Sequence, residues 1–409
     1  MRRFQSISPG VVCKLGVQWL VQAFQWPVKS AVAGPELLTQ LLVRACCQLR
    51  SLSAVVAEAA NVPCLQSIRN ALSSSLPKQA ADFLPSATRA LQSRLPKSLF
   101  RRPQTMAIDL HLRPYYGDKK TKGIYRGQSK ASTKKFFAYA TLLVIRRGQS
   151  FTVGLTPVAN REPQTDMLQR LLKQAEQAGL RVRRLLLDRG FYGATTIKWL
   201  QDRSISFIMP VIRRGKAGSK KADCTGTSQF FVKNRRGWEK YTWKSRRDRG
   251  RKKQPAFTVT VDICMVPRSM VNSRIKPSRR RSKPNKKAKK RTGPLVYACH
   301  GVQASPKQIS IWYRRRFQIE TSYRQMGQGL AATCSKDPVY RLLLATIALV
   351  LRNLWVWLHW CYLKERIGDK LVLHHENLRM LTMMSWIAHA LNKQLGMQPH
   401  AITTCSQLT

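Results

Sequence analysis

Acidic residues are the scarce component of this chain of 409 residues, where 19 Asp and Glu stand against 73 Lys and Arg. The formal net charge of +54, with a pI near 11.1, goes far beyond what solubility requires, and its natural counterweight is a polyanion. Paired cysteines are also missing. Apart from the adjacent Cys46 and Cys47, none of the ten recurs at the two-residue spacing of a zinc knuckle or redox motif, so a reduced cytoplasmic compartment is the economical reading. Long apolar runs are short too. Leu342 to Leu351 is bounded by Arg341 and Arg352 and falls short of the roughly 20 residues that cross a bilayer, which makes it a core helix and predicts no membrane partner. Phe4 to Gly16 lacks the unbroken apolar core and cleavage site of a secretory signal.

With 44% hydrophobic residues, the chain can still bury a large core. Residues 1–100 read as helical: Pro35 to Leu49 and Leu52 to Ala60 carry apolar residues at three-and-four spacing. Ser53 to Leu72 has the shape of a helix-turn-helix, with a turn near Asn61, Pro63 opening the second helix, and Gln66, Arg69 and Asn70 facing outward as DNA-contacting candidates. Two packed helices of an all-α domain fit that stretch equally well.

Near residue 104 the period changes to two. Met106 to Leu112, Phe136 to Ile145 and Phe151 to Val158 read as three strands, the last two joined by a tight Arg146-Arg147-Gly148-Gln149 turn. A helix from Pro163 to Ala178, an apolar strand Arg184 to Leu187 ending at Asp188, a helix from Ala194 to Asp202 and a strand Ser206 to Pro210 follow. Three meandering strands and then helix, strand, helix, strand make a mixed α/β sheet with a crossover, the opening of an RNase H-like fold. The expected division is therefore a helical domain over 1–100, the first part of an RNase H-like domain over 104–210, a basic β-rich insertion over 211–304, the final part over 305–365, and a helical tail over 366–409.

Within the insertion, strands are predicted at Gln229 to Val232, Lys240 to Lys244, Phe257 to Val266 and Leu295 to Val302. The acid-free run Arg274 to Arg291 cannot pack a core and reads as a solvated loop touching phosphate. Two helices, Pro306 to Gln328 and Pro338 to Leu363, complete the fold, and the Trp355, Trp357 and Trp360 cluster with His359 reads as core.

Because carboxylates are so few, those fixed by a sheet or helix carry the information. Asp109 lies inside the first strand, Asp188 ends the fourth, and Glu320 lies on the helix Ile311 to Gln325. In an RNase H-like topology the first and fourth strands are neighbours and a later helix crosses near them. Three acids about 80 and about 130 residues apart in sequence are thus expected to converge. Their mutual repulsion calls for a cation, and oxygen-only ligands suit Mg²⁺; two such ions about 3.5 to 4 Å apart can serve both sides of a phosphodiester. Competing readings are Asp118 as the first acid, Asp188 as a helix cap and Glu320 as a salt-bridge partner of Arg316 or Arg324. Tyr313 reads equally well as a packing residue. His111 is expected on the sheet face opposite Asp109.

Tyr313-Arg314-Arg315-Arg316-Phe317-Gln318-Ile319-Glu320 resembles the Tyr, two residues, Arg, three residues, Glu signature of bacterial insertion-sequence DDE transposases. Leu187-Asp188-Arg189-Gly190-Phe191-Tyr192 resembles that family's second-acid motif, and Ile108-Asp109-Leu110 with Pro114-Tyr115-Tyr116-Gly117 resembles its first-acid strand. The resemblance spans about residues 104–365. It implies a metal-binding catalytic triad of Asp109, Asp188 and Glu320 with two Mg²⁺ ions, Mn²⁺ as a substitute, and Tyr313 and Arg316 on DNA phosphate. It implies cleavage at the ends of a mobile element, strand transfer into double-stranded target DNA, a homodimer on DNA, and a bacterial, nucleoid-associated setting. Two departures stand out: the family Lys seven residues after Glu320 is Gly327, with Arg324 as the substitute charge, and Leu110 replaces the second Asp of the usual first-acid pair. A non-catalytic nucleic-acid-binding protein or inactive relic, and a nuclease that cuts without joining, are the alternatives.

Overall fold

The structure, a computed structural model, describes residues 7–27, 32–244, 257–272, 293–368 and 370–397. The basic run Arg274 to Arg291 lies outside the described residues.

Five helices come first: α1 (Pro9–Phe24), α2 (Pro35–Gln48), α3 (Leu52–Glu58), α4 (Leu65–Ser75) and α5 (Ala80–Gln92). Ser8 and Ser51 cap α1 and α3 by accepting backbone N–H bonds, and Pro9 and Pro35 sit in first-turn positions where no N–H is needed. The sheet then begins with β1 (Gln104–Pro114), β2 (Tyr125–Lys130), β3 (Thr133–Val144) and β4 (Thr152–Pro157). Next come α6 (Gln164–Gln177), β5 (Val182–Leu187), α7 (Ala194–Asp202) and β6 (Phe207–Pro210). The chain continues through β7 (Gly237–Lys244), β8 (Thr258–Val266), α8 (Ser269–Asn272), β9 (Leu295–His300), α9 (Pro306–Arg314), α10 (Phe317–Gly327) and α11 (Pro338–Tyr362). It closes with β10 (Lys364–Ile367), β11 (Lys370–Leu373) and α12 (Met380–Gln394).

Strand β1 is flanked by antiparallel β3 and parallel β5, and β5 by parallel β6. This order, with β4 beyond β3, is the RNase H-like mixed sheet expected from the element sequence. The inserted strands β7 and β8, with β9, extend the same sheet past β6 in the order β6-β9-β8-β7. Alternation sorts the residues: Met106, Ile108 and Leu110 face α6 and α7, while Ala107 joins Leu186, Ile208 and the α9–α10 residues Ile309, Tyr313 and Ile319 on the other face. Between β3 and β4 the turn requires Gly148, whose φ is +70° and where a Cβ would meet Leu373 Cδ1 at 2.9 Å.

Helices α1, α2 and α5 share one apolar core with α11 and α12. Helix α11 is long and apolar enough to cross a membrane, yet 89% of its most apolar window is buried inside the fold, the placement of a core helix. Trp355 and Trp357 lie half-buried against that core, and His359 is buried.

Three local expectations are corrected. Gln229 to Val232 is not a strand; Gly226–Phe231 forms a 3-10 turn, tied down by the Ser228 hydroxyl on the carbonyls of Arg214 and Gly215 at 3.1 and 3.0 Å. A four-residue apolar run has no period of its own, so burial of Phe230 against Tyr241 decides its shape. The helix read over Pro306 to Gln328 is two, α9 and α10, broken at Arg315 and Arg316. The tail read as helical from 366 begins in the β10–β11 hairpin.

Candidate active site

The register of the sheet brings the first two acids together. Ile108 pairs with Leu187 across parallel strands, so the next residues, Asp109 within β1 and Asp188 just past the end of β5, lie side by side. Asp109 and Ala107 are two apart and share a face, and that face is covered by α10, which carries Glu320 in its first turn. Helices α9 and α10 are each tied to the sheet. Arg184 of β5 stacks its guanidinium 3.6 Å from the Trp312 ring of α9, a desolvated contact worth about 2 kcal/mol. Tyr323, one turn beyond Glu320, donates to the backbone carbonyl of Asp109 at 2.7 Å and pairs with the Thr141 hydroxyl of β3 at 2.8 Å.

All three acids meet one cation. The Arg316 guanidinium lies 3.3 Å from Asp109 Oδ2, 3.7 Å from Asp188 Oδ1 and 2.8 Å from Glu320 Oε1. Its side chain is 6% exposed, while those of Asp188 and Glu320 are 46% and 45% exposed. Two carboxylates about 4 Å apart repel by about 4 kcal/mol at the effective dielectric of a protein surface, so three converge only around positive charge. Burial alone would lower the Arg316 pKa; Tyr313, Asp109, Asp188 and Glu320 more than offset it and hold the group charged. Burial dominates at Asp109 and raises its carboxyl above the usual range, although Arg316 and the Leu110 N–H pull the other way.

That shift has a sign. A raised folded-state pKa means that the folded chain holds the Asp109 proton more tightly than the unfolded chain. The resulting stability is present below the ordinary value of 3.8 and is lost as pH rises through the folded value. In chelator, Asp109→Asn is therefore expected to gain stability relative to the parent as pH is raised across that window, measured by urea denaturation. A constant difference at every pH would contradict the raised carboxyl.

The competing readings separate. Asp118 is exposed in a turn, where it accepts the Lys120 N–H at 2.9 Å. Asp188 makes no capping bond to the turn that follows. Glu320 is indeed the ion-pair partner of Arg316, within the same cluster as the other two acids. Tyr313 is buried against Tyr297, ring centroids 5.0 Å apart, with burial raising its hydroxyl pKa. Arg324 is exposed and reaches Thr321. On α4, Gln66, Arg69 and Asn70 are all exposed, with Gln66 donating to Asn70 at 2.8 Å.

His111 corrects an expectation. It lies on the same face as Asp109, its ring 4.8 Å from that of Tyr323, because residues two apart on a strand point the same way. Burial, followed by Arg113 and Lys130, pushes its pKa down to about 4. Tyr323 and Thr141 are residues that motif reading passes over. The three-residue step from Glu320 to Tyr323 on one helical face was the available signal.

A family model described as the transposase DDE domain matches residues 101–354, more than half of the chain. The chain belongs to this transposase DDE-domain family. The match takes in β1, β5 and α10, and so all three acids gathered at Arg316. DDE transposases use divalent metal ions, and three carboxylates from three elements, oxygen donors only, have the chemistry such an ion takes, although here they are turned toward Arg316. With Arg316 at their centre, no group of three or more His, Cys, Asp or Glu among the described residues is disposed to hold an ion. Among solved structures, the chain is similar to a piggyBac transposase in a synaptic complex with hairpin DNA, with a TM-score of 0.49 and 10% identity over 100% of this chain and 85% of that one. No curated protein matches.

Proposed function

We propose that this DDE-family transposase cleaves the phosphodiester at the ends of its own element and joins the freed 3′-hydroxyls to target DNA, with Asp109, Asp188 and Glu320 as the metal-holding catalytic acids. The observation that carries the reading is the convergence of three of only 19 acids on one buried guanidinium. Those three side chains would hold Mg²⁺, two ions in the two-metal arrangement, or Mn²⁺ in its place. When bound, the metal supplies the positive charge that activates a water or 3′-hydroxyl and stabilises the leaving oxygen.

The remaining work belongs to the chain itself. Arg316 keeps the acids together against their repulsion, and its planar fork matches a phosphate as well as a carboxylate. Its Nε is buried without an acceptor, so the group is not fully satisfied by the acids alone. In this reading Arg316 passes from the carboxylates to a phosphate of the bound DNA end. Tyr313 packs beside it and sets its direction, and Arg324, on the exposed side of α10, adds a second cation near the strand. The exposed Gln66, Arg69 and Asn70 of α4 would read the element end, and two copies of the chain would hold two ends together. Counterion release by a surface of +54 makes binding to double-stranded DNA weaken steeply with salt.

The test is an assay with purified protein, DNA carrying the element ends, a target plasmid and Mg²⁺. Nicking at the ends followed by covalent joining is the expected outcome. Nicking without joining would identify a nuclease, and salt-sensitive binding with neither reaction a relic or a simple binding protein.

A further inference from the structure

A second arginine is buried as deeply as Arg316, but with no acid paired to it among the described residues. Arg352 of α11 is 3% exposed, and its guanidinium hydrogen-bonds to two neutral acceptors, Gln325 Oε1 at 3.2 Å and the carbonyl of Ser150. Burial alone pushes its pKa down to about 9. An unpaired buried charge is costly, and natural folds pair such groups. Here the guanidinium lines a cavity of about 460 Å³ together with Arg146 and Arg147 of the β3–β4 turn, and no Asp or Glu is among the described residues that line it. Three cations around a cavity without a carboxylate lack a counter-anion that the described chain does not provide.

The position of the cavity sets it apart from the acids. Its wall on α10 is formed by Gln318, Thr321 and Gln325, at steps of three and four, whereas Arg316, Glu320 and Tyr323 lie on the opposite flank of that helix. A group seated there touches the back of the helix that carries Glu320. Resting on the DNA reading above, we infer that this cavity is a phosphate site, which takes one backbone phosphate of bound DNA away from the cleavage centre. A single tetrahedral anion suits a guanidinium fork held from behind by Gln325 and Ser150, with the exposed Arg147 closing from the turn.

The experiment uses the full chain and a labelled duplex, with affinity followed by anisotropy across a salt series. One phosphate contact contributes about 0.9 to the slope of log affinity against log salt. Arg147→Gln and Gln325→Glu, the latter placing a carboxylate on Arg352, whose Nε already donates to Gln325 Oε1, should each flatten the slope by about 0.9. Combined, they should flatten it no further, because both remove the same contact. Gln325 is the uncharged isostere of that glutamate, so the parent is itself the size-matched control. Gln325→Glu should also raise the thermal midpoint by giving Arg352 a counterion, and should abolish the thermal protection that inorganic phosphate confers on the parent.

Parental slopes in both Arg147→Gln and Gln325→Glu overturn the inference. Phosphate protection lost in Gln325→Glu while DNA slopes stay parental also overturns it, and identifies a site for small anions. A parental protein whose DNA binding ignores salt removes the DNA reading itself, a result visible before any variant is compared.

Discussion

Asp188→Asn should reduce Mg²⁺-dependent cleavage of an end-containing DNA by about 10³-fold or more, roughly 4 kcal/mol of barrier, while leaving duplex affinity within a few-fold of the parent. The substitution keeps the size and the hydrogen-bonding capacity of the side chain and removes one negative charge. Asp188 is nearly half exposed at the end of β5 and caps no helix, so the fold has little stake in its charge. A loss of cleavage with retained binding and an unchanged denaturation midpoint would place the effect on metal holding. Undiminished cleavage by the purified variant would remove Asp188 from the catalytic set, and with it the convergence argument.

The second large effect concerns the cation among the acids. Arg316→Ala should destabilise the metal-free protein by about 3 kcal/mol, the lower end for removing one partner of a buried ion pair, because Asp188 and Glu320 reach solvent. It leaves three carboxylates facing one another. Divalent cation should then restore more stability to the variant than it adds to the parent, since ligand binding stabilises by mass action and the variant's acids no longer share themselves with a guanidinium. Arg316→Lys, a point charge without the fork, should fall between the two. Denaturation midpoints with chelator and with excess Mg²⁺ provide the measurement. Equal Mg²⁺ shifts in parent and variant would show that Arg316 and the metal do not compete for the same oxygens.

The two effects have a common origin. A chain with so few acids places three of them on one guanidinium, and among the described residues Arg352 has none. In the proposed reading, the first arrangement is a metal site held behind an internal counterion. The second leaves room for an external one.

Much of this was legible from residue order alone. Period-two alternation marked β1, β3 and β4, the apolar run ending at Asp188 marked β5, and their order gave the sheet, because strand connections in such folds follow few paths. The Tyr313, Arg316 and Glu320 spacing, with Asp188-Arg189-Gly190, pointed to the family that the domain match bears out. Short apolar runs were not legible in the same way. Gln229 to Val232 has no period long enough to choose between strand and turn, and the break at Arg315 and Arg316 carries neither Pro nor Gly to announce it.

Sequence by itself determined the charge balance, the alternation that fixes which side chains share a face, and the scarcity that made each carboxylate informative. Only the tertiary structure decided that Asp109, Asp188 and Glu320 meet at Arg316, that Tyr323 ties α10 to the backbone of Asp109, and that Arg352 is buried with no acid beside it among the described residues. The reason is physical: local pattern is set by backbone geometry within a few residues, whereas charge pairing and desolvation depend on which distant segments packing brings together.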